Sequence, residues 1–446
     1  MKLTYAEAIQ FLCGLQFFGM RLGLENAFKL AALAGHPQQK LRFIHVAGTN
    51  GKGSTCAMLE SIYRTAGLRV GLFTSPHLVA FGERIQVDRQ FIPEGDVVRL
   101  VAELQGLLRN FSEPAHPTFF EVVTIMALRY FSEQNCDLVI WETGLGGRLD
   151  ATNIVTPLAA VITNIQLDHQ QWLGNSLAEI AAEKAGIIKP GLPVITAADH
   201  PEALRVIAAT AQSRGTPLTI VKPEDLHRPP LDSVRLPLLG DHQRLNAALA
   251  LATVDVLASA LPVSEEARRA GLERVHWPGR LQVIRRSASQ TLILDGAHNP
   301  DGARTLREAL RQNFPSAAPT LVLGLLRDKD CVQICRILAP VARKLLLAPV
   351  DGPRAASPEE LAGICREANP EAEVAACASL GEALERSAED PLVVIAGSLH
   401  FVGQAMVWLR LSPETRADER ALNDWDGQGD GAPRAIRKGA GTGAPD

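Results

Sequence analysis

Short runs of apolar and β-branched residues alternate with longer stretches of helical periodicity along most of this chain, which is the pattern of parallel α/β sheets. The runs predict strands at 41–46, 69–73, 137–142, 159–163, 193–196 and 217–221. Helices are expected at 54–66, 94–109, 118–133, 176–188 and 201–214, and two more at 246–260 and 264–274. Ser176 followed three residues later by Glu179 is a capping box and marks a helix start. The HWPGR stretch at 276–280 breaks the pattern, and beyond it the alternation restarts. The runs TLILDGAH, TLVLGLL, KLLLAPV and PLVVIAG predict strands, separated by helices at 301–312, 332–339 and 358–367 and followed by one reaching about residue 410. Two α/β units are therefore expected, at 1–280 and 281–411, the second small and doubly wound. From 412 to 446 Gly, Pro, Asp and Arg replace the periodicity, so a disordered tail with no part in chemistry is expected.

Composition narrows the class. A chain of 446 residues that is 46% hydrophobic exceeds one ordinary core. A net charge of -4 from 45 basic and 49 acidic residues provides no basic stripe, so nucleic acid is not expected as a partner. Seven cysteines without a C-x-x-C pair point to a reducing compartment, without disulfides or zinc. No secretion signal is legible, and polar residues interrupt the apolar stretch 391–409, so a cytoplasmic protein without a membrane span is expected.

The candidate chemistry lies at the carboxyl ends of the expected strands. LRFIHVAGTNGKGS runs a strand into a turn holding Gly48, Thr49, Asn50, Gly51, Lys52, Gly53 and Ser54. Glycines admit an anion to backbone N–H groups, Lys52 adds charge, and a helix starting near Ser54 would aim its positive end at the same spot. The spacing departs from the standard G-x-x-x-x-G-K-[ST] loop, and the alternative is an ordinary strand-to-helix turn. Ser75 and His77 follow the next strand, where Ser75 suits either a Mg²⁺ ligand or a turn cap. Glu142 enters the glycine-rich TGLGGRLDATN, as a metal ligand or a turn acid. Asp168 and His169 end another strand on the same edge. Lys184 sits in an apolar helix face, either as a carbamate formed with CO₂ or, as its residue type alone favours, as a stem reaching solvent. In the second unit DGAHNPDG breaks a strand with Asp295, His298 and Asn299, and Arg280 in the hinge is placed to clamp phosphate.

Taken in order, HVAGTNGKGS, TSPHL, TFFE, ETGLGGRLDATN, ITNIQLDH, EKAGIIKP, HQRLNAA, WPGR, LDGAHNP and GSLH resemble the folylpolyglutamate synthases, including the bifunctional dihydrofolate synthase form, ADP-forming ligases related to the muramyl ligases. The likeness spans roughly residues 15–405. It implies a Mur-ligase-like phosphate-loop domain with a parallel central sheet and a smaller Rossmann-like C-terminal domain. It implies ATP and Mg²⁺ as cofactors, with dihydropteroate, tetrahydrofolates and L-glutamate as substrates, in a monomer. By the same resemblance Gly51, Lys52, Gly53 and Ser54 hold the triphosphate. Ser75 and Glu142 bind one Mg²⁺, and Glu142, His169 and carbamylated Lys184 bind a second. Asn246 contacts adenine, Arg280 the phosphates, and Asp295 and His298 the nucleotide. Thr118, Phe120, Asp150 and Ala151 line the pterin site. The SPHL and MRLGLENAFKLAALAG wording resembles the bifunctional type, which implies both glutamate additions. A muramyl-type ligase and a nucleotide switch without ligation are the rivals; the switch leaves Glu142, His169, Lys184 and the second unit without a role.

Overall fold

The computed structural model describes residues 3–19, 21–112, 115–412 and 419–423. Its strands are β1 (Phe43–Ala47), β2 (Val70–Phe73), β3 (Ile85–Val87), β4 (Gln90–Phe91), β5 (Leu138–Glu142), β6 (Ala159–Ile162), β7 (Val194–Thr196), β8 (Leu218–Ile220), β9 (Gln282–Arg285), β10 (Thr291–Asp295), β11 (Thr320–Leu323), β12 (Lys344–Leu347), β13 (Glu373–Ala376) and β14 (Leu392–Ala396). The first sheet runs β4-β3-β2-β5-β1-β6-β7-β8 and the second β13-β12-β11-β14-β10-β9. Within the first, β2, β5, β1, β6, β7 and β8 are mutually parallel, whereas β3 and β4 add an antiparallel edge. In the second, β9 alone pairs antiparallel.

Fully buried runs such as LVIWE and LVVIA form central strands because helices cover both faces of a parallel sheet. Phe43, Phe73, Phe131 and Trp141 pack on one face of the first sheet, and Ile44, Met58, Leu72 and Ile140 on the other. A further cluster unites Leu78 and Val79 with Leu294, Phe401 and Val402, so an apolar seam joins the two sheets' domains. Gly403, in the helix Leu399–Trp408, packs there so closely that an added Cβ would fall on the Leu78 carbonyl oxygen. Gly403→Ala should therefore destabilise the protein by about 1–3 kcal/mol, read as a lower thermal unfolding midpoint; an unchanged midpoint would show that the seam yields freely.

The structure corrects several boundaries. The helix after β1 is Lys52–Thr65 rather than 54–66, and the one expected at 246–260 is Asp241–Val256. Unexpected elements include the helices Tyr5–Gly14, Glu25–Leu33 and Leu380–Arg386 and the strands β3, β4, β9 and β13, most of them short or exposed and so weakly patterned. Glu419–Asn423, assigned above to a tail without function, is instead packed against the first domain, with Glu419, Leu422 and Asn423 all buried. The remainder of the expected tail lies outside the described residues, apart from Ser412.

Candidate active site

Strand order brings the chemistry together. Because β2, β5, β1 and β6 are neighbours, their carboxyl ends deliver Ser75, Glu142, the 48–54 loop and residues 163–169 to one continuous edge. In register, Glu142 lies beside Val46, the penultimate residue of β1. One wide cleft of about 2190 Å³, including its open mouth, is lined by Ser75, Glu142, the 48–54 loop, Thr163, Asn164, Asp168 and His169 together with Lys184, Asn246, Arg280, Asp295 and His298.

The glycine loop is held from outside. Thr49 N donates to Asn164 O at 2.9 Å, Asn50 N to Asn164 Oδ1 at 2.7 Å, and Thr163 Oγ1 to Asn50 O at 2.6 Å. Gly51 caps the helix at φ 84°, a left-handed conformation that favours glycine. An added Cβ there would lie 2.5 Å from Asn246 Oδ1, so the Asn246 side chain touches the loop itself. Lys52 is the first residue of its helix and folds back, its Nζ donating to the Gly48 and Thr49 carbonyls at 3.2 and 3.1 Å. The helix N-terminus, the loop N–H groups and this ammonium thus share one place for an anion.

Lys184, on the helix Leu177–Ala185, is 4% exposed, which excludes the stem reaching solvent. Its Nζ donates to Gly48 O at 2.8 Å. Burial, with the Lys52 ammonium adding to it, pushes this amine down to about 7. A substantial neutral fraction is then present near neutrality, the form that reacts with CO₂. Glu142 is also buried; its Oε2 accepts from Ser75 N at 3.0 Å. Burial raises its carboxyl above the ordinary range, opposed chiefly by Lys52.

From the second domain, Asp295 accepts Leu281 N and Ala297 N at 2.8 and 2.9 Å, and Arg280 is packed against Gly296. His298 holds Gly296 O through Nδ1 at 2.7 Å and turns Nε2 towards Asp168, 3.5 Å away. Asp168 is the meeting point of the domains. Lys329 pairs with it at 2.7 Å and Asn299 Nδ2 donates to it at 3.0 Å. Although burial works to raise the Asp168 carboxyl, His298 and Lys329 hold it well below the usual range. Asn50, inside the loop, is bonded to Asp301 at 3.0 Å and Asn299 at 3.1 Å. Sequence reading named Asn299 beside Asp295 and His298 without a role and passed over Asp301 and Lys329; the charged RDKD after TLVLGLL was the available signal for Lys329.

His169 stands at the cleft rim, its side chain 42% exposed. Among the described residues no group of three or more His, Cys, Asp or Glu is placed to hold a metal ion. Glu142 and the Ser75 hydroxyl nevertheless fit Mg²⁺, which takes hard oxygen ligands and usually shares itself between one or two carboxylates and substrate phosphates.

A second pocket of about 710 Å³, again including its open mouth, adjoins the first. Thr118 and Phe120, and some thirty positions on Asp150 and Ala151, all line it, with Arg84, Leu149 and Leu422. Thr118 is fixed by its capping box with Glu121, and Asp150 by accepting Leu145 N at 2.8 Å and Thr152 N at 3.0 Å. Gly144 and Leu145 belong to the walls of both pockets.

The Mur ligase middle domain family matches residues 46–254, and the family described as Mur ligase, glutamate ligase domain, matches residues 279–399. The chain is 37% identical over 424 residues to the dihydrofolate synthase/folylpolyglutamate synthase of Bacillus subtilis, covering 90% of this chain and 98% of that one. Its structure is similar to that of Escherichia coli FolC in complex with DHPP and ADP, with a TM-score of 0.81 and 35% identity, covering 92% and 99% of the two chains. It is also similar to Mycobacterium tuberculosis folylpolyglutamate synthase complexed with ADP, with a TM-score of 0.84 and 30% identity over 92% of this chain and 100% of the other.

Proposed function

Since this chain belongs to the dihydrofolate synthase/folylpolyglutamate synthase family of Mur ligases, we propose that it uses ATP to join L-glutamate to dihydropteroate and to tetrahydrofolates already carrying glutamate, releasing ADP and phosphate. The observation that carries this reading is the shared wall at Gly144 and Leu145. A flat pterin acid in the smaller pocket has its carboxylate directed at the cleft where the nucleotide phosphates belong.

A carboxylate is a poor electrophile, so activation comes first. One of its oxygens attacks the γ-phosphorus, the bond to the β-phosphate oxygen breaks, and ADP departs, leaving an acyl phosphate. The neutral amine of glutamate then attacks the acyl carbon; the tetrahedral intermediate collapses with loss of phosphate, and the nitrogen gives up a proton as the amide forms. Lys52 and Arg280 neutralise charge on the transferred phosphoryl group, and the 48–54 loop holds the triphosphate in line. Asn246 faces the adenine side, while Asp295 and His298 hold the nucleotide from the second domain. Ser75 and Glu142 would hold one Mg²⁺, and Glu142, His169 and the Lys184 carbamate a second. Bound there, the ions would stabilise negative charge on the phosphates. Thr118, Phe120, Asp150 and Ala151 bind the pterin acid.

Both halves of the site come from one chain, which supports action as a monomer. All seven cysteines are unpaired, and among the described residues no helix is long and apolar enough to cross a membrane; the free thiols support a cytoplasmic setting.

The test is direct. Purified protein with ATP, Mg²⁺, L-glutamate and either dihydropteroate or tetrahydrofolate should release ADP and yield a product heavier by one glutamyl residue. Absence of acid-dependent ADP release with both acceptors would overturn the assignment.

A further inference from the structure

Leu281 stands where the first domain hands the chain to the second, one residue before β9, and its backbone is left-handed at φ 45°. Gly279, two residues earlier, is also left-handed, at φ 69°. Glycine takes that region freely, whereas a leucine resists it and keeps it only where its surroundings over-determine the conformation. Arg280 lies between the two. Strain of this kind gathers where backbone geometry serves chemistry, and here it adjoins the side chain assigned to the transferred phosphoryl group.

What holds the turn comes chiefly from the end of β10. Leu281 N donates to Asp295 Oδ2 at 2.8 Å, and the other oxygen, Oδ1, accepts Ala297 N at 2.9 Å, so both carboxylate oxygens are engaged with backbone. Gly296 N donates to Gly279 O at 3.0 Å and Gly279 N to Gln282 Oε1 at 3.0 Å, which closes the turn on both sides. The Leu281 side chain, 2% exposed, is sunk in the second domain's core cluster. Arg280 instead lines the cleft, so close to Gly296 that an added Cβ there would fall 2.4 Å from its Nη1. Its guanidinium makes one hydrogen bond among the described residues, from Nη1 to Gly279 O at 3.3 Å. With so little holding its head, the aim of this side chain depends on the backbone beneath it.

We propose that Asp295 works on the reaction through Leu281, clamping the left-handed turn that aims Arg280 at the transferred phosphoryl group. This deepens the proposed function and rests on its assignment of Arg280 to that group; the hold of Asp295 on the nucleotide is exerted through Arg280. Asp295 and Leu281 are then positioning residues, and Arg280 is the one that touches the reacting phosphate.

A double-mutant cycle on acid-dependent ADP release by the full chain tests this. Arg280→Ala should lower kcat about 10²-fold. Asp295→Ala should approach that loss with the KM for the acid unchanged, and beside Arg280→Ala it should cost less than about threefold more. Asp295 also lies near enough to favour the Arg280 charge, so geometry has to be separated from electrostatics. Leu281→Ile does so: it keeps the apolar volume and the Asp295 charge but brings a β-branched side chain that resists a left-handed backbone. It should lower kcat about tenfold alone and less than about twofold beside Arg280→Ala. Asp295→Asn, which keeps one acceptor, should fall between Asp295→Ala and the unaltered chain, and it carries the cycle if Asp295→Ala does not fold. Losses that multiply in either double variant, or a normal kcat in Asp295→Ala or Leu281→Ile, overturn the proposal. If the unaltered chain releases no ADP with either acid acceptor, the ligase reading fails first and takes this proposal with it.

Discussion

Lys184→Ala is expected to cut kcat by about 10²–10³-fold, the scale of losing one preorganised charged group at a phosphoryl-transfer site, while the fold survives. The side chain is buried between the glycine loop and its own helix, bonded to Gly48 O, in surroundings that favour the neutral amine. A neutral buried amine reacts with CO₂ to give a carbamate and a proton, exchanging a costly cation for an anion that suits a metal ion. Alanine leaves a space where that carbamate would stand. Added acetate or propionate should therefore restore part of the activity, and mass spectrometry of the intact protein under bicarbonate should show the carbamate. Unchanged activity in the variant would refute the role. Loss without rescue by any short carboxylate would assign Lys184 to holding Gly48 alone.

Glu142→Gln should cost at least about 10²-fold in acid-dependent ADP release without unfolding the protein. Glutamine is nearly isosteric and still offers an oxygen to Ser75 N, so the local geometry is kept. What disappears is a negative charge buried beside Lys52. Because a buried carboxylate is expensive in the empty protein, the unfolding midpoint should hold or rise. The magnesium concentration needed for half-maximal rate should rise as well. A variant with normal rate and normal magnesium dependence would remove Glu142 from the metal site.

How much of this was legible in the sequence depended on how each residue is held. The central strands announced themselves because burial on both faces demands continuous apolar runs, as in LVIWE and PLVVIAG. The edge strands β3, β4, β9 and β13 did not, being short, exposed or both. Residues that end a strand, such as Glu142 and Asp295, were legible because strand ends are where open α/β sheets bind ligands. Lys184 was ambiguous in sequence, since only packing distinguishes a buried amine from one reaching solvent. Asp301 and Lys329 were passed over, and Asn299 was named without a role, because their partners, Asn50 and Asp168, lie on the other domain. Arg84 and Asn423 were missed for a related reason: their contact joins positions 339 apart, and no local period records that.

The bonds from Asn50 to Asn299 and Asp301 also bear on timing. Asn50 sits two residues before Lys52, so domain separation cannot occur without stripping the phosphate loop of partners that help hold it. The molecule is then most capable of making an acyl phosphate while it is shut, and least capable when water has free entry. Wasteful ATP hydrolysis is restrained by this mechanical dependence as well as by the walls of the cleft.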